Sequence, residues 1–141
     1  FFKGRAQVVA DSAVRMVEML RRGELDGQLQ TLKPGIQYIL VHMGEGPVAN
    51  KSSSWTWIHF CAVSPAGDIL LNTYASKPVV VNRRGALLAP WVERSVTHFP
   101  EGSTVLLKVP YELAFGEEGN VPVPAGSDLY VLMEILRANN M

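Results

Sequence analysis

The sequence has one cysteine, no excess of charge of either sign and no long apolar run, and each absence excludes a class of protein. Cys61 cannot form an internal disulfide or contribute to a multi-cysteine zinc site. Thirteen Lys and Arg residues balance 13 Asp and Glu residues, so no basic field is expected that would attract nucleic acid or an anionic membrane surface. No segment approaches the roughly 20 apolar residues that span a bilayer. We therefore expect one globular domain with no nucleic-acid partner and no membrane span.

Groups for covalent, acid–base or metal chemistry are also scarce. The three histidines, His42, His59 and His98, have no Ser, Asp or Cys nearby in a pattern typical of a catalytic triad or a metal site. The sequence therefore predicts no metal and no cofactor, and His59 is expected to be an ordinary strand residue.

Apolar spacing predicts an N-terminal helix between Ala10 and Leu25, because its apolar residues recur at steps of three and four. Asp11 or Ser12 is expected to cap this helix, and Gly23 is a natural stop. The polar stretch from Glu24 to Lys33 carries turn signals and is predicted to link the helix to the main body.

After Gly35 the apolar residues alternate, which predicts strands. The predicted strands are Ile36–Val41, Trp55–Val63, Ile69–Tyr74, Thr104–Val109 and Leu129–Leu136. In the second of them, Ile58 and Phe60 are expected on one face and Trp57 and His59 on the other. The spacing predicts one short helix over Gly85–Val96, and the segment Pro110–Asp128 is predicted to be loop. The fold class is α+β: antiparallel strands curved around one short helix and preceded by an N-terminal helix.

The last third of the chain resembles the C-terminal half of the FKBP family of peptidyl-prolyl cis/trans isomerases. The strand end Val109-Pro110, the turn Ala114-Phe115-Gly116, the tip Val123-Pro124 and the strand that ends in Met133-Glu134-Ile135-Leu136 have the order and spacing of the family's motifs. Upstream, Trp91 matches the tryptophan that forms the floor of the family's pocket. The resemblance implies the FKBP fold.

The lead-in strand resembles bacterial, envelope-associated members of the family that carry a helical N-terminal extension. This similarity rests on Lys33–Leu40 and Gly44–Pro47, and the whole resemblance covers Leu32 to Arg137. It divides the chain into a helical extension and linker, residues 1–31, and an FKBP-like domain, residues 32–141. The chain starts at Phe1, which suggests a missing signal peptide or lipid anchor. A location in the periplasm or cell envelope is expected, with the cytoplasm as the alternative.

The resemblance also implies a pocket for a proline ring that works without covalent, acid–base or metal chemistry. The residues that match the family's catalytic positions are Trp91, Phe60, Phe115 and Leu88. Those that match its substrate-binding positions are Leu87, Val79, Leu71, Asn72, Val123 and Val131, with the alternative that the family's aromatic–acid pair falls on Leu70-Leu71 instead of Leu71-Asn72.

The pocket departs from the family at several positions. Phe60 and Phe115 replace two tyrosines, so two hydroxyl groups are missing. Val79 and Val131 replace phenylalanines, which predicts a wider and less aromatic cup. These changes argue against tight binding of the family's macrolide ligands and leave two functions open. The chain is an isomerase acting on proline-containing peptides and unfolded protein clients, or it is a chaperone or protein-binding module with weak or no isomerase activity.

Overall fold

The computed structural model describes residues 4–32, 35–49, 55–82, 90–114 and 128–139. Within these ranges, seven antiparallel strands form one sheet in the order β1-β2-β6-β7-β3-β4, and β5 pairs with β3. The elements are α1 Arg5–Arg21, β1 Gln30–Leu32, β2 Ile36–His42, β3 Trp55–Val63, β4 Ile69–Asn72, β5 Val79–Asn82, α2 Pro90–Val96, β6 Thr104–Val109, α3 Tyr111–Ala114 and β7 Leu129–Asn139, with 3-10 turns at Asp26–Gln28 and Thr73–Ala75. The α+β class predicted from the sequence is confirmed.

Each face of the sheet has its own apolar cluster. The inner cluster packs α2 against the sheet and includes Ile58, Phe60, Trp91, Val92, Val131 and Met133. The outer cluster packs α1 against the opposite face and includes Ala13, Val17, Leu20, Cys61, Val63 and Leu132. Because successive residues of a strand point to opposite faces, β3 contributes to both clusters. The predicted placement of Ile58 and Phe60 on one face of this strand is confirmed.

Helix α1 begins earlier than its apolar pattern suggests. Its N-cap is Gly4, so Asp11 and Ser12 lie inside the helix and the prediction that one of them caps it was wrong. The first turn mixes polar and apolar residues and has none buried, since the buried stripe begins at Ala10, and this stripe therefore gives no signal for where the helix starts. The helix ends at Arg21, before the predicted limit of Leu25, and the prediction that Gly23 stops it is confirmed. Gly23 follows the C-cap Arg22 with a φ of 81°, a left-handed conformation that glycine adopts without strain.

Short elements escaped the sequence analysis. Strand β1 lies in the predicted linker, β5 follows the predicted strand Ile69–Tyr74, and α3 lies in the predicted loop. Each has only three or four residues, too few to display a period. Strand β4 also ends at Asn72, because a 3-10 turn begins at Thr73. The described part of the predicted second helix begins at Pro90, and residues 83–89 lie outside the described ranges.

Candidate functional site

The centre of the inner cluster is an aromatic pair formed by Trp91 of α2 and Phe60 of β3. Their ring centroids are 5.4 Å apart and the ring planes meet at 78°, the edge-to-face arrangement that aromatic rings favour. Trp91 is 1% exposed and Phe60 is 6% exposed. Val131 of β7 is buried in the same cluster, opposite Ala62 of β3. The structure thus brings three of the predicted site residues together.

The indole N–H of Trp91 is a polar group in these apolar surroundings. Its Nε1 atom is buried and has no hydrogen-bond partner among the described residues. An unpaired buried donor costs about 1–3 kcal/mol, so Trp91 holds an energetically unfavourable group at the centre of the inner cluster.

Val79 and Leu71 lie at the edge of the sheet. Val79 pairs with Ile58, and Leu71 pairs with Ala62. Both partners belong to the inner cluster, so the register puts Val79 and Leu71 on the inner side of the sheet. They are 38% and 39% exposed. Both also line a surface hollow of about 560 Å³, together with Thr73, Ser76, Lys77, Pro78 and Val80. The structure therefore places these two predicted substrate-binding residues on an apolar rim.

Asn72 does not join the other predicted site residues. It pairs with Cys61, whose side chain lies in the outer cluster. Its side-chain amide donates to the carbonyl oxygen of Ala6 in α1 at 3.0 Å, and its Oδ1 atom accepts from the backbone N–H of Tyr74 at 3.1 Å. Asn72 thus contacts α1 and caps the turn that follows β4.

The remaining predicted site residues, Leu87, Leu88, Phe115 and Val123, lie outside the described residues. Their roles stay predictions.

A polar cluster on the outer face was not anticipated from the sequence. The hydroxyl group of Tyr74 donates to Glu134 Oε1 at 2.6 Å, and Arg5 Nη2 of α1 donates to the same oxygen at 3.0 Å. The ring of Tyr74 stacks on that of His59, with centroids 4.2 Å apart. His59 Nδ1 lies 2.7 Å from Thr73 Oγ1. Residues far apart in the chain meet here, and local sequence patterns give no signal for such contacts.

Burial shifts the pKa values of His59 and Tyr74. It lowers the pKa of His59 below the ordinary 6.5, an effect that the nearby Glu134 carboxylate partly opposes. Burial, reinforced by the hydrogen bond to Glu134, raises the pKa of Tyr74 above its ordinary value. Both groups are therefore neutral at pH 7.

A second surface hollow, of about 520 Å³, lies away from the aromatic pair. It is formed between the C-terminal half of α1 and the turn that joins β3 to β4, and Glu18, Arg21, Arg22 and Gly67 are among its lining residues.

Over the described ranges, no group of three or more His, Cys, Asp or Glu side chains could hold a metal ion. No helix in the described part of the chain is long and apolar enough to cross a membrane.

The sheet, the helix packed on its inner face and the aromatic pair define an FKBP-type fold preceded by an N-terminal helix. The crystal structure of FkpA from Escherichia coli superimposes with a TM-score of 0.68 at 22% identity and covers 96% of this chain and 63% of that one. A peptidyl-prolyl cis-trans isomerase from Pseudomonas syringae pv. tomato also gives 0.68, at 18% identity, with 93% of this chain and 96% of that one covered. The resemblance to FKBP domains recognised from the sequence is confirmed for the fold.

A curated relative is the FKBP-type 22 kDa peptidyl-prolyl cis-trans isomerase of Escherichia coli strain K12. It is 25% identical to this chain over 133 residues, which cover 94% of this chain and 62% of the relative. The chain therefore spans less than two thirds of the relative's length. No protein-family profile matches the sequence.

Proposed function

We propose that this chain is a peptidyl-prolyl cis/trans isomerase domain that binds X–Pro segments of peptides and unfolded proteins. The observation that carries the proposal is the edge-to-face pair of Phe60 and Trp91, buried at the inner face of an FKBP-type fold. The curated relative named as an FKBP-type isomerase supports the same activity.

Apolar side chains are sufficient for this reaction. Rotation about an X–Pro bond must overcome about 18–20 kcal/mol, because resonance gives the C–N bond partial double-bond character. A pocket that removes water from the carbonyl disfavours the charge-separated resonance form, and one that fits the twisted amide better than either planar form lowers the barrier. Trp91, Phe60 and Val131, which are buried, would form the apolar floor beneath the proline ring.

The apolar rim formed by Leu71 and Val79 could bind the residues that flank the proline in a longer peptide or unfolded protein. Leu71 and Val79 are partly exposed on the side of the sheet that faces the inner cluster. Apolar residues that flank a client proline would bury area against them, with a contribution of about 25 cal/mol per Å² of apolar surface. Macrolide ligands would bind weakly, because Phe60 has no hydroxyl group to donate.

A protease-coupled assay on short X–Pro peptides tests the activity. Trp91→Ala removes a buried ring at an expected cost of about 3–5 kcal/mol in stability, so Trp91→Phe is measured beside it. Trp57→Phe, a change on the outer face of β3, is the matched control. We expect the wild type and the control to accelerate isomerisation and both Trp91 variants to lose most of the acceleration. Wild-type protein that is folded and inactive would refute the proposal.

The second candidate function is a chaperone or protein-binding module with little turnover. Exposed apolar side chains at the sheet edge favour it, namely Ile69, Leu71, Val79 and Val80. Suppression of the aggregation of a proline-free unfolded client distinguishes this function, because an isomerase pocket gives no advantage there. Serine in place of Leu71 and Val79 would abolish the suppression.

We also propose a cell-envelope location, supported by the similarity of Lys33–Leu40 and Gly44–Pro47 to envelope-associated family members. Fractionation of cells that express the complete gene product at its natural level tests this proposal. Recovery in the cytoplasmic fraction would contradict it.

A further inference from the structure

The edge of β3 that faces β4 and β5 has a gap in its backbone pairing. Strand β5 pairs with residues 55–58 of β3, and β4 pairs with residues 61–63. His59 and Phe60 have no partner in either strand. In an antiparallel strand, alternate residues direct their N–H and C=O groups to opposite edges. The N–H and C=O groups of Phe60 both bond to Thr73 on this side, so they face this edge, where no strand pairs with them.

The side chain of Thr73 fills the gap. Its hydroxyl oxygen accepts a hydrogen bond from the backbone N–H of Phe60 at 2.8 Å, and the hydroxyl group donates to the carbonyl oxygen of Phe60 at 3.2 Å. Thr73 is 4% exposed, so water does not compete freely for these groups. One hydroxyl therefore makes both bonds that a neighbouring strand would have made.

The neutral ring of His59 completes the hydrogen bonding of this hydroxyl group. A hydroxyl has one donor and two acceptor positions. With a proton on His59 Nδ1, which lies 2.7 Å from Thr73 Oγ1, Thr73 accepts from His59 and from the N–H of Phe60 and donates to the carbonyl of Phe60. The donor position and both acceptor positions of the Thr73 hydroxyl group are then occupied, two of them by the backbone of Phe60 and one by the ring of His59.

We propose that Thr73 is a positioning residue for the pocket and acts through Phe60. The inference rests on the proposed isomerase function, because it assigns a role in the same site. The backbone position of Phe60 decides where its ring meets Trp91. Strand β7 pairs with Phe60 on one edge of β3, and Thr73 holds its backbone on the other edge, where neither β4 nor β5 pairs with it. Misplacement of a binding group by about 1 Å can reduce a rate by orders of magnitude.

The test compares Thr73→Val, which keeps the branched shape and removes the hydroxyl, with Thr73→Ser, which keeps the hydroxyl. Thr56→Val is the matched control, since Thr56 is a buried threonine on β3, the strand that carries Phe60, and its Oγ1 atom has no hydrogen-bond partner among the described residues. We expect Thr73→Val to lower kcat/KM on X–Pro peptides by roughly tenfold. Thr73→Ser and Thr56→Val should stay within about twofold of the wild type.

Amide exchange and ring contacts measured by NMR provide readouts that are independent of activity. In Thr73→Val, exchange of the Phe60 amide should accelerate and the nuclear Overhauser contacts between the Phe60 and Trp91 rings should weaken. The amide of Leu106, in β6, should keep its protection. Unchanged Phe60 exchange and ring contacts in Thr73→Val would overturn the inference. Equal impairment of the Val and Ser variants would also overturn it, because the hydroxyl would then not be the cause.

The two proposals fail in different ways. A folded wild-type protein without isomerase activity refutes the proposed function, and the ring contacts between Phe60 and Trp91 then decide the role of Thr73. Loss of those contacts in Thr73→Val alone supports positioning by Thr73, and their retention refutes it.

Discussion

The side-chain amide of Asn72 donates a hydrogen bond to the carbonyl oxygen of Ala6 over 3.0 Å. This bond connects an edge strand of the sheet to the first turn of α1. Since the same side chain also accepts from the N–H of Tyr74, Asn72 both holds the helix and caps the turn that carries Thr73.

Substitution of Asn72 should affect stability more than activity. Asn72→Asp keeps the oxygen that accepts from Tyr74 and loses the N–H that donates to Ala6, whereas Asn72→Ala loses both hydrogen bonds. We expect a decrease in the free energy of unfolding of about 1 kcal/mol for Asp and about 2 kcal/mol for Ala. Urea denaturation measures these changes. A loss of peptide isomerase activity without a loss of stability would instead indicate contact with the substrate.

Gly44 should not tolerate a side chain. A Cβ atom at this position would lie 2.0 Å from the carbonyl oxygen of Glu101, a backbone atom that cannot rotate away. Gly44→Ala should therefore lower the free energy of unfolding by about 1–3 kcal/mol. Gly27→Ala is the control, because a Cβ there meets no atom within 4 Å. Equal thermal midpoints for the two variants would contradict this prediction.

Stability should fall in mildly acidic solution because of His59. Burial lowers the pKa of this group in the folded state below its ordinary value of 6.5, so the unfolded chain binds the proton more readily. The contribution of His59 is complete above pH 6.5 and is lost as the pH falls from 6.5 towards the lowered folded pKa.

His59→Phe isolates this contribution, since the aromatic stack on Tyr74 can persist while the titrating group is gone. The variant should lose stability at all pH values, because Thr73 loses a hydrogen-bond partner. The difference in its free energy of unfolding between pH 7.5 and pH 5 should be smaller than that of the wild type. Chemical denaturation at both pH values gives the comparison, and the same pH dependence in the two proteins would show that other groups cause it.

The Cys61 thiol should be inert in the folded protein. It is fully buried in the outer cluster, and burial raises its pKa to about 11, so the reactive thiolate is rare at pH 8. Ellman's reagent should react with it at the rate of unfolding, and at once in denaturant. Rapid modification of the native protein would show that α1 separates readily from the sheet.

The sequence predicted those parts of the fold in which a periodic pattern is long enough to read. Strand β3 was predicted with its observed ends, since its nine residues are rich in aromatic and β-branched side chains, and its faces follow from the alternation of Trp57 and His59 with Ile58 and Phe60. Four-residue β5 carries no such signal, and the start of α1 was missed because its first turn lies before the buried stripe, which begins at Ala10. For the site, the family motif identified Trp91 and Phe60, which the structure brings into contact.

The polar contacts at the sheet edge could not be read from the sequence. Arg5 and Glu134 are separated by 129 positions, and Thr73 meets Phe60 only because β4 ends at Asn72 and a tight turn follows. No local sequence pattern predicts contacts between residues that are so far apart in the chain. The family match also put Asn72 in the pocket, whereas its register opposite Cys61 directs the side chain to the other face.

The sheet is covered by an apolar cluster on each of its two faces. Helix α1 covers Cys61, Val63 and Leu132 on one side, so a fragment that starts at Leu32, the boundary suggested by the family motifs, would expose this side to water. Such a fragment would present a broad aggregation-prone surface. We therefore expect the smallest fragment that stays in solution to include α1 as well as the residues that carry the family motifs.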